Sequence, residues 1–102
     1  MVVDETGVYW TSLDGRVHQA NLDGSGSRIL VPYVSHPRGL AIDGTYVYFA
    51  AEHERAVFRV PKAGGLIEVM APSQALPYAV AESGDYVYWS NTEDSTISRM
   101  HK

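Results

Sequence analysis

Four histidines, one dense charged cluster and two glycine-rich turns are the parts of this chain with the right residue types for chemistry. His18, His36, His53 and His101 could supply imidazole ligands or bases. A metal centre needs three or four such groups converging on one point. His18 and His101 fall in or at the end of strand-like segments near an outer rim, and His36 lies in a His-Pro turn. The histidines therefore read as dispersed, and neither a metal nor another cofactor is expected. The stretch "AEHER" brings Glu52, His53, Glu54 and Arg55 into one loop, where local ion pairs in solvent account for it. The turns "DGSGS" and "KAGG" have the glycine content of a phosphate cradle. Each precedes a strand-like segment, so the helix N-terminus that would hold an anion is missing and turn geometry explains the glycines. No Gly-x-Ser-x-Gly elbow or neighbouring acid–base pair marks a serine as a nucleophile. No catalytic residue is expected.

Composition narrows the classes further. The 102 residues contain no cysteine, which excludes a disulfide framework and a thiolate metal site. A net charge of -4 without any Lys/Arg run argues against a nucleic-acid partner. No apolar run approaches the roughly 18 residues of a membrane helix, and "MVVDETGVYW" lacks the basic and apolar segments of a signal peptide. The expectation is a soluble chain without a membrane partner, cytoplasmic if full-length and extracytoplasmic if cut from a larger protein.

The elements that must position any site come from an internal repeat. Val8-Tyr9-Trp10, Val47-Tyr48-Phe49 and Val87-Tyr88-Trp89 recur at spacings of 39 and 40 residues. Val17, Val57 and Ile97, then Gln19, Arg59 and Arg99, keep a spacing of 40, as do the pairs Gly24 with Gly64 and Pro37 with Pro77. Four short strands fit each unit. In the second they are Gly39 to Asp43, Tyr46 to Ala50, Ala56 to Val60 and Ile67 to Ala71, rich in β-branched and aromatic residues and separated by Gly, Pro, Asp and Ser. "APSQALPYAVAE" is the best helix candidate, but Pro72 and Pro77 divide it. A period near 40 with four strands per unit is the signature of a β-propeller blade. The fold class is all-β, a propeller fragment of about three blades spanning residues 1–37, 38–77 and 78–102, the last without its outer strand.

The motifs "VYWTS", "GRVHQANLDGSG", "RILV" and "SHPRGLAID" resemble the YWTD repeat of low-density-lipoprotein-receptor-type propellers. The second and third copies, with "VFRVPKAGG" and "DYVYWSN", look more like bacterial relatives of that repeat. The resemblance covers nearly the whole chain and implies a six-bladed fold. The aspartate of the family fingerprint is replaced by Ser12, Ala51 and Asn91 in the three copies.

Three blades leave two outward faces wet. At about 25 cal/mol per Å², several hundred Å² of such surface withholds on the order of 10 kcal/mol, comparable with the whole stability of a small domain. The expected partner is therefore a second copy, with two chains forming one six-bladed ring. A truncated piece of a longer propeller is the competing reading. The face carrying the loops between blades and between second and third strands holds Tyr33, His36, Arg38, Glu52, His53, Arg55, Tyr78, Asn91 and Glu93, a mixture suited to a protein or peptide surface. The expected function is a non-enzymatic binding or scaffold module, with a purely structural role as the alternative. A lactonase-like enzyme would need acidic or amide residues at the start of the innermost strands, where Arg38-Gly39 and Tyr78-Ala79 stand.

Overall fold

Short runs of β-branched and aromatic residues, each closed by a polar turn, build eleven strands and no helix in the computed structural model, which describes residues 1–102. The strands are β1 (Val2–Asp4), β2 (Gly7–Thr11), β3 (Val17–Ala20), β4 (Arg28–Val31), β5 (Pro37–Ile42), β6 (Tyr46–Ala51), β7 (Ala56–Pro61), β8 (Glu68–Ala71), β9 (Pro77–Ser83), β10 (Tyr86–Asn91) and β11 (Thr96–His101). They form three antiparallel meanders in sequence order, β1 to β4, β5 to β8 and β9 to β11. These are three sheets of the kind that make propeller blades. No helix is long and apolar enough to cross a membrane.

Strand register confirms the repeat residue by residue. Val3 opposes Val8, Ile42 opposes Val47 and Glu82 opposes Val87. Trp10 faces His18, Phe49 faces Phe58 and Trp89 faces Ser98. The innermost strand β5 starts two residues before the expected Gly39, because Arg38 and Gly39 together oppose Ala50 in a bulge. The same irregularity recurs in β9, where Tyr78 and Ala79 oppose Ser90.

Period-2 alternation sends each blade's side chains toward two different neighbours. Val47 and Phe49 point into a core shared with the first blade, where Tyr9, Val17 and Val31 meet them. Tyr48 and Val57 point the other way, into a core shared with Val87 and Trp89 of the third blade. Phe49 is fully buried and stacks on Phe58, with ring centroids 5.4 Å apart. Trp89 is also buried, and its indole N–H donates to Gln74 Oε1 at 2.9 Å. Trp10, at the equivalent position of the first blade, is only half-buried and stacks on His18. Close approach of the inner strands depends on Gly39. A Cβ there would lie 2.7 Å from the Tyr78 carbonyl oxygen and 2.8 Å from Ala79 Cα, inside any real contact distance.

A charged tie crosses each junction between blades. Lys62 of the second blade reaches Asp4 of the first, its ammonium 5.6 Å from the centre of the Tyr9 ring. One repeat later, Lys102 reaches Asp43 at 3.1 Å and lies 5.6 Å from the Tyr48 ring centre, while Glu82 of its own blade accepts from it at 2.7 Å. The tyrosines complete the ties. Tyr48 donates to Asp43 Oδ2 at 2.6 Å, and the Tyr9 hydroxyl bonds Thr6 Oγ1, which in turn donates to Asp4. Burial pushes the Asp4 carboxyl up, but hydrogen bonds from Lys62 and Thr6 and the Lys62 charge outweigh it and hold the group at about 2. Burial likewise opposes ionisation of Asp43, yet hydrogen bonds from Tyr48, the Tyr46 and Thr45 backbone and Lys102 hold its carboxyl far below the ordinary range. Burial and the bond to Asp43 together push the Tyr48 phenol up.

Truncating Phe49 or Trp89 to alanine should therefore cost about 3–5 kcal/mol in urea unfolding. Trp10→Ala in dilute protein should cost only about 1–2 kcal/mol, because its ring has one neighbouring sheet fewer. Equal losses at all three positions would contradict this packing.

Both aspartates titrate below their unfolded value, so the stability they confer is full above about pH 4 and drains away as pH falls toward 2. Melting temperature should drop across that window. Asp4→Asn with Asp43→Asn should melt lower near neutral pH and lose much of the acid-dependent drop.

Candidate functional site

The two bulges set up a recess at the loop end of the sheets. A bulge turns a side chain out of the ladder, and here it does so at equivalent positions of neighbouring innermost strands. The Arg38 guanidinium lies 5.5 Å from the centre of the Tyr78 ring. Around this pair is a cavity of about 300 Å³, lined also by Thr11, Ser12, Leu13 and Pro37. Thr11 Oγ1 donates to the Arg38 carbonyl at 3.1 Å, joining the first blade to the rim of the cavity.

The "AEHER" loop packs against the same rim. Arg38 pairs with Glu52 at 3.1 Å, and the His53 ring lies 3.7 Å from the same carboxylate oxygen. The Glu52 backbone N–H donates to the His36 carbonyl at 3.0 Å, bringing the two loops together. His36 and His53 consequently stack, with ring centroids 3.8 Å apart and planes tilted by 34°. The expectation of dispersed histidines thus fails for this pair. It depends on a loop contact across 17 positions of sequence, which no local motif encodes. His36 has φ 55°, a left-handed conformation uncommon outside glycine, and Leu76 repeats it at φ 55° one unit later.

His36, Arg38, Glu52, His53 and Tyr78 therefore form one cluster. Arg55 and Glu93 form a separate exposed ion pair that links the loops of the second and third blades. Tyr33 is exposed and lies over Gly15, where a Cβ would come within 2.7 Å of its ring. Asn91 lies inside the third blade instead of on the loop surface. It is buried, and its amide N–H groups face Thr96 Oγ1 at 3.2 Å and Ser98 Oγ at 3.3 Å. Thr11 and Leu13 line the recess without having been singled out in the sequence, and Ser12, read there only as a departure from the family fingerprint, lines it beside them; the bulges that open the recess show only in the strand pairing.

Chemically the cluster offers a guanidinium, a carboxylate, two imidazoles and a phenol, which suits recognition of polar groups. No group of three or more His, Asp or Glu side chains has a metal-binding arrangement. Glu52, the one carboxylate beside the histidines, is engaged by Arg38.

No protein-family model matches the chain. Among curated proteins, it is 26% identical to the Sortilin-related receptor of Mus musculus over 94 residues, which cover 91% of this chain and 4% of that protein. The Sortilin-related receptor of Homo sapiens is 26% identical over 87 residues, covering 84% of this chain and 4% of the receptor. The chain thus spans about 4% of the length of the relatives it matches. The similarity and the three antiparallel meanders agree with a propeller-type repeat.

With Glu52 held by Arg38, added zinc should leave the melting temperature unchanged, since any site specific to the folded state would raise it by mass action. A rise that disappears in His36→Ala or His53→Ala would establish a metal site.

Proposed function

We propose that the chain is a non-enzymatic binding module of propeller blades, presenting the His36, Arg38, Glu52, His53 and Tyr78 cluster to a polar protein or peptide surface. The observation that carries this reading is the convergence of those five side chains on and beside one open recess, where repeated bulges aim Arg38 and Tyr78. The similarity to a receptor supports a binding role over an enzymatic one. In this reading two copies close into a six-bladed ring, so that each ring carries the cluster twice. The segments "VFRVPKAGG" and "DYVYWSN" keep the bacterial-like variant of the repeat within the proposal.

A second reading, that the chain is a structural piece of a longer propeller, is favoured by one observation: the relatives it matches are far longer than the matched segment. Light scattering during size-exclusion chromatography separates the two. The ring reading expects about twice the 11.2 kDa mass of one chain, and a folded monomer would overturn it. Panning a displayed peptide library against the chain tests the binding role. Selected peptides should bind Arg38→Ala and Tyr78→Ala on the order of tenfold more weakly than the parent. Binding that ignores both substitutions would place the interaction elsewhere.

A further inference from the structure

The structure leaves two sheet faces uncovered, and both belong to the repeating junction. On the third blade, Ala79, Ala81, Tyr88 and Ile97 line an apolar groove of about 190 Å³. Its counterparts on the other blades are filled. Val17 and Val57 are 0% exposed, under Phe49 and Trp89 respectively, whereas Ile97 is 74% exposed. On the first blade the opposite face is bare, with Trp10 and Val8 half-buried and Val3 and Leu22 exposed. Trp10 is the repeat equivalent of the two residues that fill the grooves elsewhere.

The charged tie is altered on both sides of this uncovered pair. Leu22 stands where Lys62 and Lys102 stand in the other blades, and Ser83 stands where Asp4 and Asp43 stand. Val3 occupies the place of Glu82, the second carboxylate that Lys102 uses. Had only one member been lost, docking these faces would bury an ammonium or a carboxylate without its partner, which opposes association. All three positions are neutral, so the faces match each other in charge as well as in shape.

We propose that the blade-3 groove is a docking surface for the blade-1 face of a second copy of this chain, with Trp10 in the groove and Leu22 over the Tyr88 ring, forming a head-to-tail seam without charges. This deepens the self-assembly part of the reading above and rests on it. The seam continues the geometry of the two internal junctions, and both of its halves lie on this chain. That continuity, together with the paired loss of charge, identifies the occupant as a second copy.

Sedimentation equilibrium of four proteins tests the seam: the parent chain, Leu22→Lys, Ser83→Asp and the double variant. Leu22 and Ser83 are exposed on one chain, so the substitutions leave its own fold intact, which circular dichroism verifies. The parent should dimerise. Leu22→Lys alone should weaken association on the order of tenfold or more, and adding Ser83→Asp should restore it to within about threefold by rebuilding the tie. A dimer indifferent to Leu22→Lys, or a double variant no tighter than Leu22→Lys, overturns the seam while leaving self-assembly in place. A parent chain that stays folded and monomeric overturns both, and assigns these faces to some other occupant.

Discussion

Each sheet in this protein is apolar on both faces, and that single fact dictates the arrangement of the rest. A sheet with one wet face can stand against one partner, but a sheet with two dry faces needs a neighbour on each side. Equivalent residues show the consequence directly. Val57, in the middle blade, is sealed, while Ile97, one repeat on, is open for lack of a following sheet. Phe49 is sealed and Trp10, one repeat before it, is only half-covered. The middle blade is the one complete unit, and the outer two are each complete on one side.

Apolar faces alone would not hold register, since two such sheets can slide with little change in buried area. The Asp–Tyr–Lys ties remove that freedom. A half-buried ammonium that meets its carboxylate in only one alignment makes any slip leave a charge bare. Lys62 and Lys102 each reach back to the preceding blade from the end of a third strand, and each lies near a tyrosine ring whose hydroxyl belongs to the same hydrogen-bonded group. Arg28 adds a rim contact at the first junction, donating to the Lys62 carbonyl at 2.6 Å and the Ala63 carbonyl at 3.1 Å. The hydrophobic faces supply most of the stabilisation, and the polar ties select the alignment.

The repeat and the strands were legible in the sequence because each depends on local spacing. Tyr48 and Phe49 announce a second strand wherever they recur, and the aspartates before the first hairpins of the first two blades announce the turn by accepting from the backbone N–H two residues on, as Asp43 does from Thr45 at 2.8 Å. The bulges were not legible, because Arg38-Gly39 and Tyr78-Ala79 share no composition and the extra residue shows only in the pairing. The meeting of His36 with His53 was hidden for a related reason: each lies in an ordinary turn, and only the folded sheet brings the turns together. Asn91 looked like a loop residue from its place at a strand end, yet hydroxyls on the neighbouring strand draw its amide inside.

The ties and the recess lie at opposite ends of the strands. Asp43 and Lys62 sit at the end of β5 and just beyond β7, whereas Arg38 lies near the start of β5 and Glu52 just beyond the end of β6. The length of a strand therefore separates the groups that align the blades from the groups that face the recess. Substitutions of Arg38, Glu52, His53 or Tyr78 leave the Asp–Lys pairs untouched and act on exposed or half-exposed side chains, where stability changes are small. The loop end can thus vary in chemistry while the junctions stay fixed. One residue bridges the two roles: Gly39, whose neighbour Arg38 lines the recess while its own missing side chain lets β5 and β9 approach. At that position the shape of the recess and the spacing of the blades cannot be changed independently.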